Sequence, residues 1–513
     1  MTLLQPASDS VPSPSRRTRG LATLEASTAR ERFAAVAPTI AAIFVAGLAL
    51  RLYCSSGPLW IDEIWSISNV ERLRHFWLVL WGISHDNNHL ANSLWLYFAT
   101  GVSENSTWLR MPSIIAGALS IPLMALLGAR HSSAAAVAGA ALTAFSFFFL
   151  NYSIEARGYA MAFLATMIGY YALEEAIASP SGRWRYGLAA ATGIGMFCHF
   201  ATAPTLCLFG LICLIETWRR DRDIRRSIIA TAQIFWPSAI ALIPAVGCFV
   251  AGWIVMGGFT IGGIHDYSAI SAIAGEVNLA LTTLGAPQNH VFITLFLFGL
   301  PPAILIAIVS NLVSAQRRVA YCVILLALPA SVFLLHPPNS NIPRYYFDCA
   351  IVLTLLCAEL VGGLWRAGGW RRLAGAGALA ASLAGGLSAA ADFQATKTTT
   401  WVDALDVIHD SGAPRLGGLY DRNVHEHVDF FNRNHEPMLE LVPPEQIFAE
   451  PPEWFVVGID QPDNPVEPRL TMSQAGCILI YEFTSVYGGP GLSQTPWALY
   501  RRKSDAPTGS CGR

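Results

Sequence analysis

The sequence is poor in charged residues, which make up only 13% of its 513 positions, and lysine occurs only at Lys397 and Lys503. Soluble globular domains usually carry about 25% charged residues, whereas 53% of this chain is hydrophobic. The formal net charge of -2 provides no overall positive field, so no nucleic-acid partner is expected. The chain also lacks a Cys-x-x-Cys pair and any cysteine spacing typical of a zinc site. The shortage of charged residues, together with the high hydrophobic content, predicts a polytopic membrane protein.

Long apolar runs are what the sequence has in abundance. A transmembrane helix needs about 20 apolar residues, and about eleven runs approach that length. The predicted spans are residues 36–54, 112–129, 134–151, 159–178, 186–200, 202–217, 228–256, 291–313, 319–335, 346–364 and 373–391. The predicted fold is therefore a polytopic α-helical membrane protein.

The distribution of arginine predicts the orientation of these spans. If the N-terminus is cytoplasmic, about 18 arginines fall on inner segments and about 6 on outer segments before the tail, as the positive-inside rule requires. An odd number of spans then places the C-terminus outside. The resulting organisation is a disordered cytoplasmic tail (1–33), a membrane domain (34–391) with outer loops 55–111, 257–290 and 336–345, and a C-terminal extracytoplasmic domain (392–513).

The C-terminal tail has the pattern of a small folded domain. The segments WFVVGID (454–460), GCILIYEF (476–483) and WALYRRK (497–503) each predict a short strand. About 120 residues are enough for a small domain with its own core. We expect this domain to be α/β.

Two adjacent carboxylates, Asp62 and Glu63, lie in LWIDEIWSIS (59–68), just after the first apolar run. An acid among apolar residues at a membrane surface tends to have a raised pKa, as a general base near neutral pH requires. Two acids could divide the work, one as base and one orienting a substrate. An interfacial amphipathic helix whose acids point to water is the other interpretation.

A second polar cluster, SHDNNHLANSLWLYF (84–98), contains Asp86, Asn88 and His89. These groups could hydrogen-bond to the hydroxyls of a sugar or coordinate a divalent cation. A polar loop that caps a helix is the alternative. The residues indicate no definite cofactor, and a divalent cation stays open.

Three further outer helix ends carry candidate residues. Glu155 and Arg157 lie between the third and fourth spans, His199 lies at the outer end of the fifth, and Arg344 and Tyr345 precede the tenth. An arginine fork matches phosphate oxygens, although an ion pair within the turn or a snorkelling anchor would give the same pattern. Charges at mid-span are almost absent, which favours an enzyme working at one surface over a pump or carrier.

The order of these motifs resembles bacterial glycosyltransferase family 39. The motifs are the Asp-Glu pair after the first span, NNHLANSLW, LRMPSIIAGALS with Arg110, NYSIEARGYA with Tyr159, and PRYYF. The family is part of the GT-C superfamily, with protein O-mannosyltransferases and the lipid A aminoarabinose transferase as relatives. The resemblance covers about residues 36–365 and leaves out the tail. The family often has His-Pro-Pro where this chain has His89-Leu90-Ala91.

The resemblance implies a GT-C type fold and a defined reaction. Such enzymes move a sugar from a polyprenyl-phosphate carrier to a hydroxyl of a glycan, lipid or protein on the extracytoplasmic face. It implies that Asp62, with Glu63 beside it, acts as the base or orients the acceptor, and that Arg157 and the pair Arg344 and Tyr345 are the matching arginine motifs, which we expect at the donor phosphate. A single displacement assisted by one base would invert the anomeric carbon. The implied location is a bacterial inner membrane, with a cytoplasmic N-terminus and a periplasmic C-terminus. An O-antigen-type polymerase or ligase, or a transporter of lipid-linked sugar, are the alternatives.

Overall fold

The computed structural model has a helical N-terminal domain followed by a domain built on one β-sheet. It describes residues 28–83, 85–180, 182–258, 266–397, 400–418, 422–459, 466–474, 477–488 and 496–503. Residues 28–35 are helical, although 28–33 were assigned to the N-terminal tail. Residues 1–27 of that predicted tail lie outside the described residues.

The N-terminal domain consists of helices joined mainly by short connections. In chain order they are α1 (Ala37–Cys54), α2 (Ile61–Glu71), α3 (Leu90–Ala99), α4 (Ser106–Leu109), α5 (Met111–Ala129), α6 (Ser133–Phe145), α7 (Phe147–Ser153), α8 (Tyr159–Ala178), α9 (Trp184–Cys198), α10 (Thr202–Asp221), α11 (Ile224–Met256), α12 (Ala269–Leu284), α13 (His290–Val309), α14 (Arg318–Cys322), α15 (Leu328–Leu335), α16 (Phe347–Ala367) and α17 (Gly369–Thr396). Short 3-10 helices cover Phe76–Leu80, Ala315–Arg317 and Pro343–Tyr346, and the π-helical turn Val323–Ala327 joins α14 to α15.

Seven of the described helical segments are long and apolar enough to cross a membrane, or eight if the pair α6 and α7, bent by 54°, counts as one span. The predicted class of multi-pass membrane protein is confirmed, but the predicted count of eleven spans is not. Helices do cover the remaining predicted spans, but α9 has only 15 residues. The segments α8 and α10 carry charged residues near their C-terminal ends.

Three of these helices set the length of the membrane domain. The helices α5, α8 and α16 have 19, 20 and 21 residues, which at 1.5 Å per residue is about 30 Å, the thickness of a bilayer core. They begin beside Arg110, Arg157 and Arg344, and toward their far ends lies a second group of charges. The candidate site and the arginine-rich connections therefore lie at opposite ends of the bundle.

A buried ion-pair network closes the end opposite the candidate site. Arg317 contacts Glu174 at 2.6 Å and Glu359 at 2.7 Å, and Arg130 contacts Glu175 at 2.5 Å. Unpaired charges at this depth would be costly, so each cation is matched by carboxylates from neighbouring helices. The network joins the connections after α5 and α13 to α8 and α16.

Two buried charges inside helices near the candidate site were not predicted. Arg51, in the last turn of α1, is fully buried and donates to the carbonyls of Gly47 and Ala144. Asp348, in the first turn of α16, accepts hydrogen bonds from Thr205 Oγ1. Both lie within one turn of a helix end.

The predicted outer loop 257–290 is largely helical. Its residues 269–284 form the apolar helix α12, which packs against α16, while 259–265 lie outside the described residues. Its apolar face explains the absence of arginine and lysine from this stretch, because the helix packs within the bundle instead of facing water.

In its described residues, the C-terminal domain has the α-helices α18 (Trp401–Asp410) and α19 (Arg422–Phe431), the 3-10 helix Pro444–Gln446 and a six-stranded mixed sheet. The strands are β1 (Arg415–Gly418), β2 (Glu440–Leu441), β3 (Trp454–Gly458), β4 (Arg469–Gln474), β5 (Cys477–Tyr487) and β6 (Trp497–Arg502), in the spatial order β2-β1-β3-β6-β5-β4. Strand β1 pairs in parallel with β2 and β3, and the other pairs are antiparallel. The three predicted strands and the α/β class are confirmed.

Candidate active site

The first turn of α2 presents Asp62 and Glu63 on different sides. Glu63 is fully buried, and its carboxylate accepts a hydrogen bond at 3.0 Å from the backbone N–H of Trp60, the residue that precedes α2. Arg110 donates to it twice, at 2.8 and 2.6 Å, and the backbone N–H of Ala156 donates at 2.6 Å. With four donors on its two oxygens, Glu63 fixes α2 to α5 and to the α7–α8 turn instead of facing a substrate.

Asp62 lies at the centre of the cluster and is shared by two arginines. Its side chain is 14% exposed, and its Oδ2 atom is 2.5 Å from Arg157 Nη1 and 3.7 Å from Arg344 Nη2. Three outer segments that are far apart in the sequence therefore meet at one carboxylate. Asp62 is the partner of Arg157, so the alternative of an ion pair within the 152–158 turn does not describe this arginine.

Aromatic rings flank the two arginines on both sides. The Arg157 guanidinium lies 5.3 Å from the Trp60 ring and 4.9 Å from the Tyr159 ring, and the Arg344 guanidinium lies 5.9 and 5.5 Å from the same rings. Rings at these distances hold cations through their π faces and exclude water. Trp60 was not among the predicted site residues, and only its position directly before the Asp-Glu pair hints at its role.

Asn87 orients the charged pair, a role that the sequence did not reveal. Its Nδ2 donates to the Asp62 backbone carbonyl at 2.5 Å and to Ser66 Oγ at 2.8 Å, while its Oδ1 accepts from Arg157 Nη2 at 2.6 Å. One amide thus joins α2 to the arginine opposite it. The polar run HDNNH signals a site, but it does not distinguish Asn87 from its neighbour.

The imidazole rings of His89 and His199 lie side by side next to Tyr159. Their ring centroids are 4.3 Å apart, and each ring also packs on Tyr159. His89 Nδ1 accepts from the Gly158 backbone N–H and His199 Nδ1 from that of Ala201, which leaves Nε2–H as the donor of each neutral ring. Burial, followed by the charges of His199, Arg157, Arg344 and His85, holds the pKa of His89 well below its usual value.

Because His89 is neutral in the folded state, stability should fall on acidification. The unfolded chain gains a proton as the pH drops below about 6.5 and the folded chain does not, so the unfolding free energy decreases by up to about 1.4 kcal/mol per pH unit. Above that pH both states are neutral and the effect vanishes. Melting temperatures of the wild type and of His89→Asn between pH 7.5 and 5.5 measure it. An equal pH slope in the two proteins would contradict the assignment.

Three predicted site residues have partners outside the cluster, and a fourth, Tyr345, packs on Arg344. Asp86 pairs with His85 at 2.9 Å and is 35% exposed, and Asn88 Nδ2 donates to the Val79 carbonyl at 3.0 Å. Glu155 accepts from Asn151 at 2.9 Å. Tyr345 contacts the Arg344 guanidinium with its ring, 5.7 Å away.

Of the two arginines at Asp62, Arg344 is the less closely paired. Burial opposes the charge on Arg157, but Asp62 and Tyr159 more than offset it and raise the pKa of the guanidinium. Arg344, in contrast, has only the carboxylate at 3.7 Å, and among the described residues its Nε has no acceptor. A buried cation without a close counterion favours binding of an anion.

Among the described residues around Asp62, no set of side chains is arranged to bind a metal ion. Within the described ranges, no group of three or more His, Cys, Asp or Glu side chains is arranged to hold a metal ion. His89 and His199 face each other through their rings, and their Nδ1 atoms are already used as acceptors.

Comparison with known proteins gives a family-model match and matches among solved structures. The family model for dolichyl-phosphate-mannose-protein mannosyltransferase matches residues 93–246, which include Arg110, Arg157 and His199. No curated protein matches the chain. The structure of arabinosyltransferase EmbB from Mycobacterium smegmatis aligns with a TM-score of 0.39 and 13% identity over 63% of this chain and 30% of that one. The family match confirms, over residues 93–246, the resemblance to GT-C membrane glycosyltransferases.

Proposed function

We propose that this protein moves a sugar from a polyprenyl-phosphate donor to a hydroxyl acceptor on the extracytoplasmic face, with inversion at the anomeric carbon. The acceptor is a glycan, a lipid or a protein. Asp62 is the general base, Arg157 and Arg344 bind the donor phosphate, and Glu63 positions the helix that carries Asp62. The site lies at one end of the bundle, where a lipid-linked phosphate at the membrane surface can reach it.

The observation that carries this proposal is the pair of arginines around one carboxylate. Two guanidinium groups against Asp62 leave one positive charge, which a phosphodiester, with its single negative charge, neutralises. After transfer, Asp62 holds a proton and the released polyprenyl phosphate carries a second charge, so the two arginines are still matched. A pyrophosphate-linked donor would leave one negative charge unmatched at each stage.

The chemical steps follow from this geometry. The donor phosphate binds Arg157 and Arg344 and displaces Asp62 Oδ2 from its contact with them, which frees the carboxylate. Asp62 takes the proton of the acceptor hydroxyl as its oxygen attacks the anomeric carbon, and the bond from that carbon to the phosphate oxygen breaks. A single displacement inverts the carbon, whereas retention would need a covalent intermediate on an enzyme carboxylate. His89 and His199, through Nε2–H, are placed to donate to sugar or phosphate oxygens.

The orientation of the chain supports an extracytoplasmic site. The segments richest in arginine, including residues 219–226 and 366–372, lie at the end opposite Asp62, and such segments remain cytoplasmic in most membrane proteins. The proposed location is a bacterial inner membrane with the C-terminal domain in the periplasm.

The direct test is donor cleavage by the purified protein. A panel of polyprenyl-phosphate sugars is offered with water or a crude extract as acceptor, and release of polyprenyl phosphate is measured. Release from one donor identifies the sugar, and the anomeric configuration of the product tests inversion. A polymerase or ligase would instead use pyrophosphate-linked donors. A transporter would move lipid-linked sugar across proteoliposomes without cleaving it.

Arg344→Gln should weaken donor binding more than it slows the chemical step. The loss of one charge-assisted contact, about 1.5–3 kcal/mol, corresponds to an increase of about 10- to 100-fold in the donor Kd. Direct binding of the identified donor measures the effect. Arg371→Gln, an exposed arginine at the other end of the bundle, is the control and should bind as the wild type does. Unchanged affinity in Arg344→Gln would exclude Arg344 from the phosphate site.

A further inference from the structure

The segment that leads into α2 is held by side chains from elsewhere in the fold. The backbone carbonyls of Ser55, Gly57 and Pro58 accept hydrogen bonds from Arg110 at 2.6, 3.4 and 2.9 Å. Gly57 has a φ of 107°, a left-handed conformation that suits glycine. This stretch is thus an irregular turn whose shape depends on donors supplied from outside.

The remaining carbonyls of the same stretch are held from the C-terminal side of the chain. Lys397, just after α17, donates its Nζ to the carbonyls of Cys54 and Ser56, the latter at 2.6 Å. Trp401, the first residue of α18, donates its Nε1–H to the Leu59 carbonyl at 2.8 Å. Together with Arg110, these two residues satisfy every carbonyl from residue 54 to residue 59.

The other end of α2 is held in the same way. Arg433, two residues after α19, contacts Glu71 at 2.8 Å and Ser68 Oγ at 3.3 Å. Along the helix, Phe430 and Trp401 pack against the apolar cluster that includes Ile64, Ile67 and Val70 of α2. The C-terminal chain therefore contacts α2 at its start, along its side and at its end.

From these contacts we propose that Lys397, Trp401 and Arg433 form a brace that fixes the position of Asp62, so that the C-terminal domain works as part of the catalytic apparatus. This inference rests on the proposed function of Asp62 as base. Asp62 is the second residue of α2, immediately after the braced turn. Arg157 and Arg344 stand on other elements, and neither contacts Lys397, Trp401 or Arg433, so we expect the brace to affect the rate more than donor binding.

The brace predicts a separation of rate from donor affinity. A displacement of about 1 Å at a catalytic group can cost on the order of 100-fold in rate. Lys397→Met keeps the aliphatic stem and removes the ammonium, and Trp401→Phe keeps a ring and removes the N–H. Each should lower kcat for donor cleavage by about tenfold or more while the directly measured donor Kd stays within about twofold of wild type. Lys397→Arg, which retains the donor groups, should restore kcat.

The chain offers a matched control for each variant. Lys503→Met removes the only other lysine, whose partner is Glu482 on the surface of the C-terminal domain. Trp454→Phe removes an indole hydrogen bond to Ser411 within that domain. Both controls should keep the wild-type kcat. Each loses a comparable interaction without touching residues 54–71.

Hydrogen exchange of the α2 amides supplies a readout that needs no substrate. Exchange over residues 61–71 should accelerate in Lys397→Met and Trp401→Phe but not in the two controls. Unchanged kcat together with unchanged exchange in both brace variants would overturn the inference. If the wild type cleaves no donor, the proposed function fails, while the exchange experiment still decides whether the brace holds α2. Should Lys397→Met fail to fold, Trp401→Phe carries the same test.

Discussion

Asp62→Asn should lower kcat for the proposed sugar transfer by about 100- to 10,000-fold, the range that positioned general bases contribute. The asparagine side chain has nearly the same shape but cannot take up the acceptor proton. Donor affinity, in contrast, should stay the same or increase, because the carboxylate that competes with phosphate for Arg157 and Arg344 loses its charge. Single-turnover transfer and a direct donor-binding measurement on the same preparation separate the two effects.

This combination distinguishes a base from a structural residue. A residue needed only to hold the arginines would, when replaced, weaken donor binding together with the rate. Asp410→Asn serves as the control, since that carboxylate is 85% exposed on α18 and far from the cluster in sequence. Full turnover by Asp62→Asn would show that another group takes the proton.

Glu63→Gln has the largest expected effect on stability. Removal of one partner from a buried ion pair typically costs about 3–5 kcal/mol of unfolding free energy, because the other charge stays buried without its counterion. Here Arg110 would be left against backbone carbonyls only, and one oxygen that accepts from Trp60 or Ala156 would become an amide donor. Unfolding of the detergent-solubilised protein, followed by near-ultraviolet circular dichroism, measures the change.

The matched comparison is an ion pair on the surface. Glu440→Gln removes one of the two exposed carboxylates that pair with Arg415 in the C-terminal domain, the other being Glu450, and such pairs contribute about 0–1 kcal/mol. Glu63→Gln should therefore be much less stable than Glu440→Gln. A loss below about 1 kcal/mol for Glu63→Gln would mean that the Glu63–Arg110 pair is not what holds α2. Activity should also fall, since Asp62 is the neighbour of Glu63 on the same helical turn.

The sequence led to most of the residues of the cluster but not to their roles. Asp62, Arg157 and Arg344 were identified because ionisable groups next to apolar runs are rare and mark sites. Glu63 was predicted as a second acid at the site beside the base Asp62, and in the structure its carboxylate faces Arg110 and two backbone amides. Neighbouring positions on a helix point about 100° apart, so adjacent residues meet different surroundings that only the tertiary fold supplies.

The number of membrane spans also depends partly on local sequence and partly on the tertiary fold. Hydropathy located helices at every predicted position because apolar composition over about 20 residues is a local property. Hydropathy did not distinguish a helix that is apolar enough to cross a bilayer from a helix whose charged residues are paired with charges on neighbouring helices. The segment α8 ends with Glu174 and Glu175, which are paired with Arg317 and Arg130 in the fold, and no local pattern reveals those partners.

By itself, the sequence determined that this is a multi-pass helical membrane protein, that its ionisable candidate residues lie near one end of the spans, and that a small α/β domain follows them. Those features depend on composition, periodicity and the sign of charge, which act locally. Only the tertiary structure decided that Asp62 stands between two arginines, that Asn87 and Trp60 complete the cluster, and that Lys397 and Trp401 hold the turn before α2. Such contacts join residues up to 343 positions apart, and they arise from packing in three dimensions.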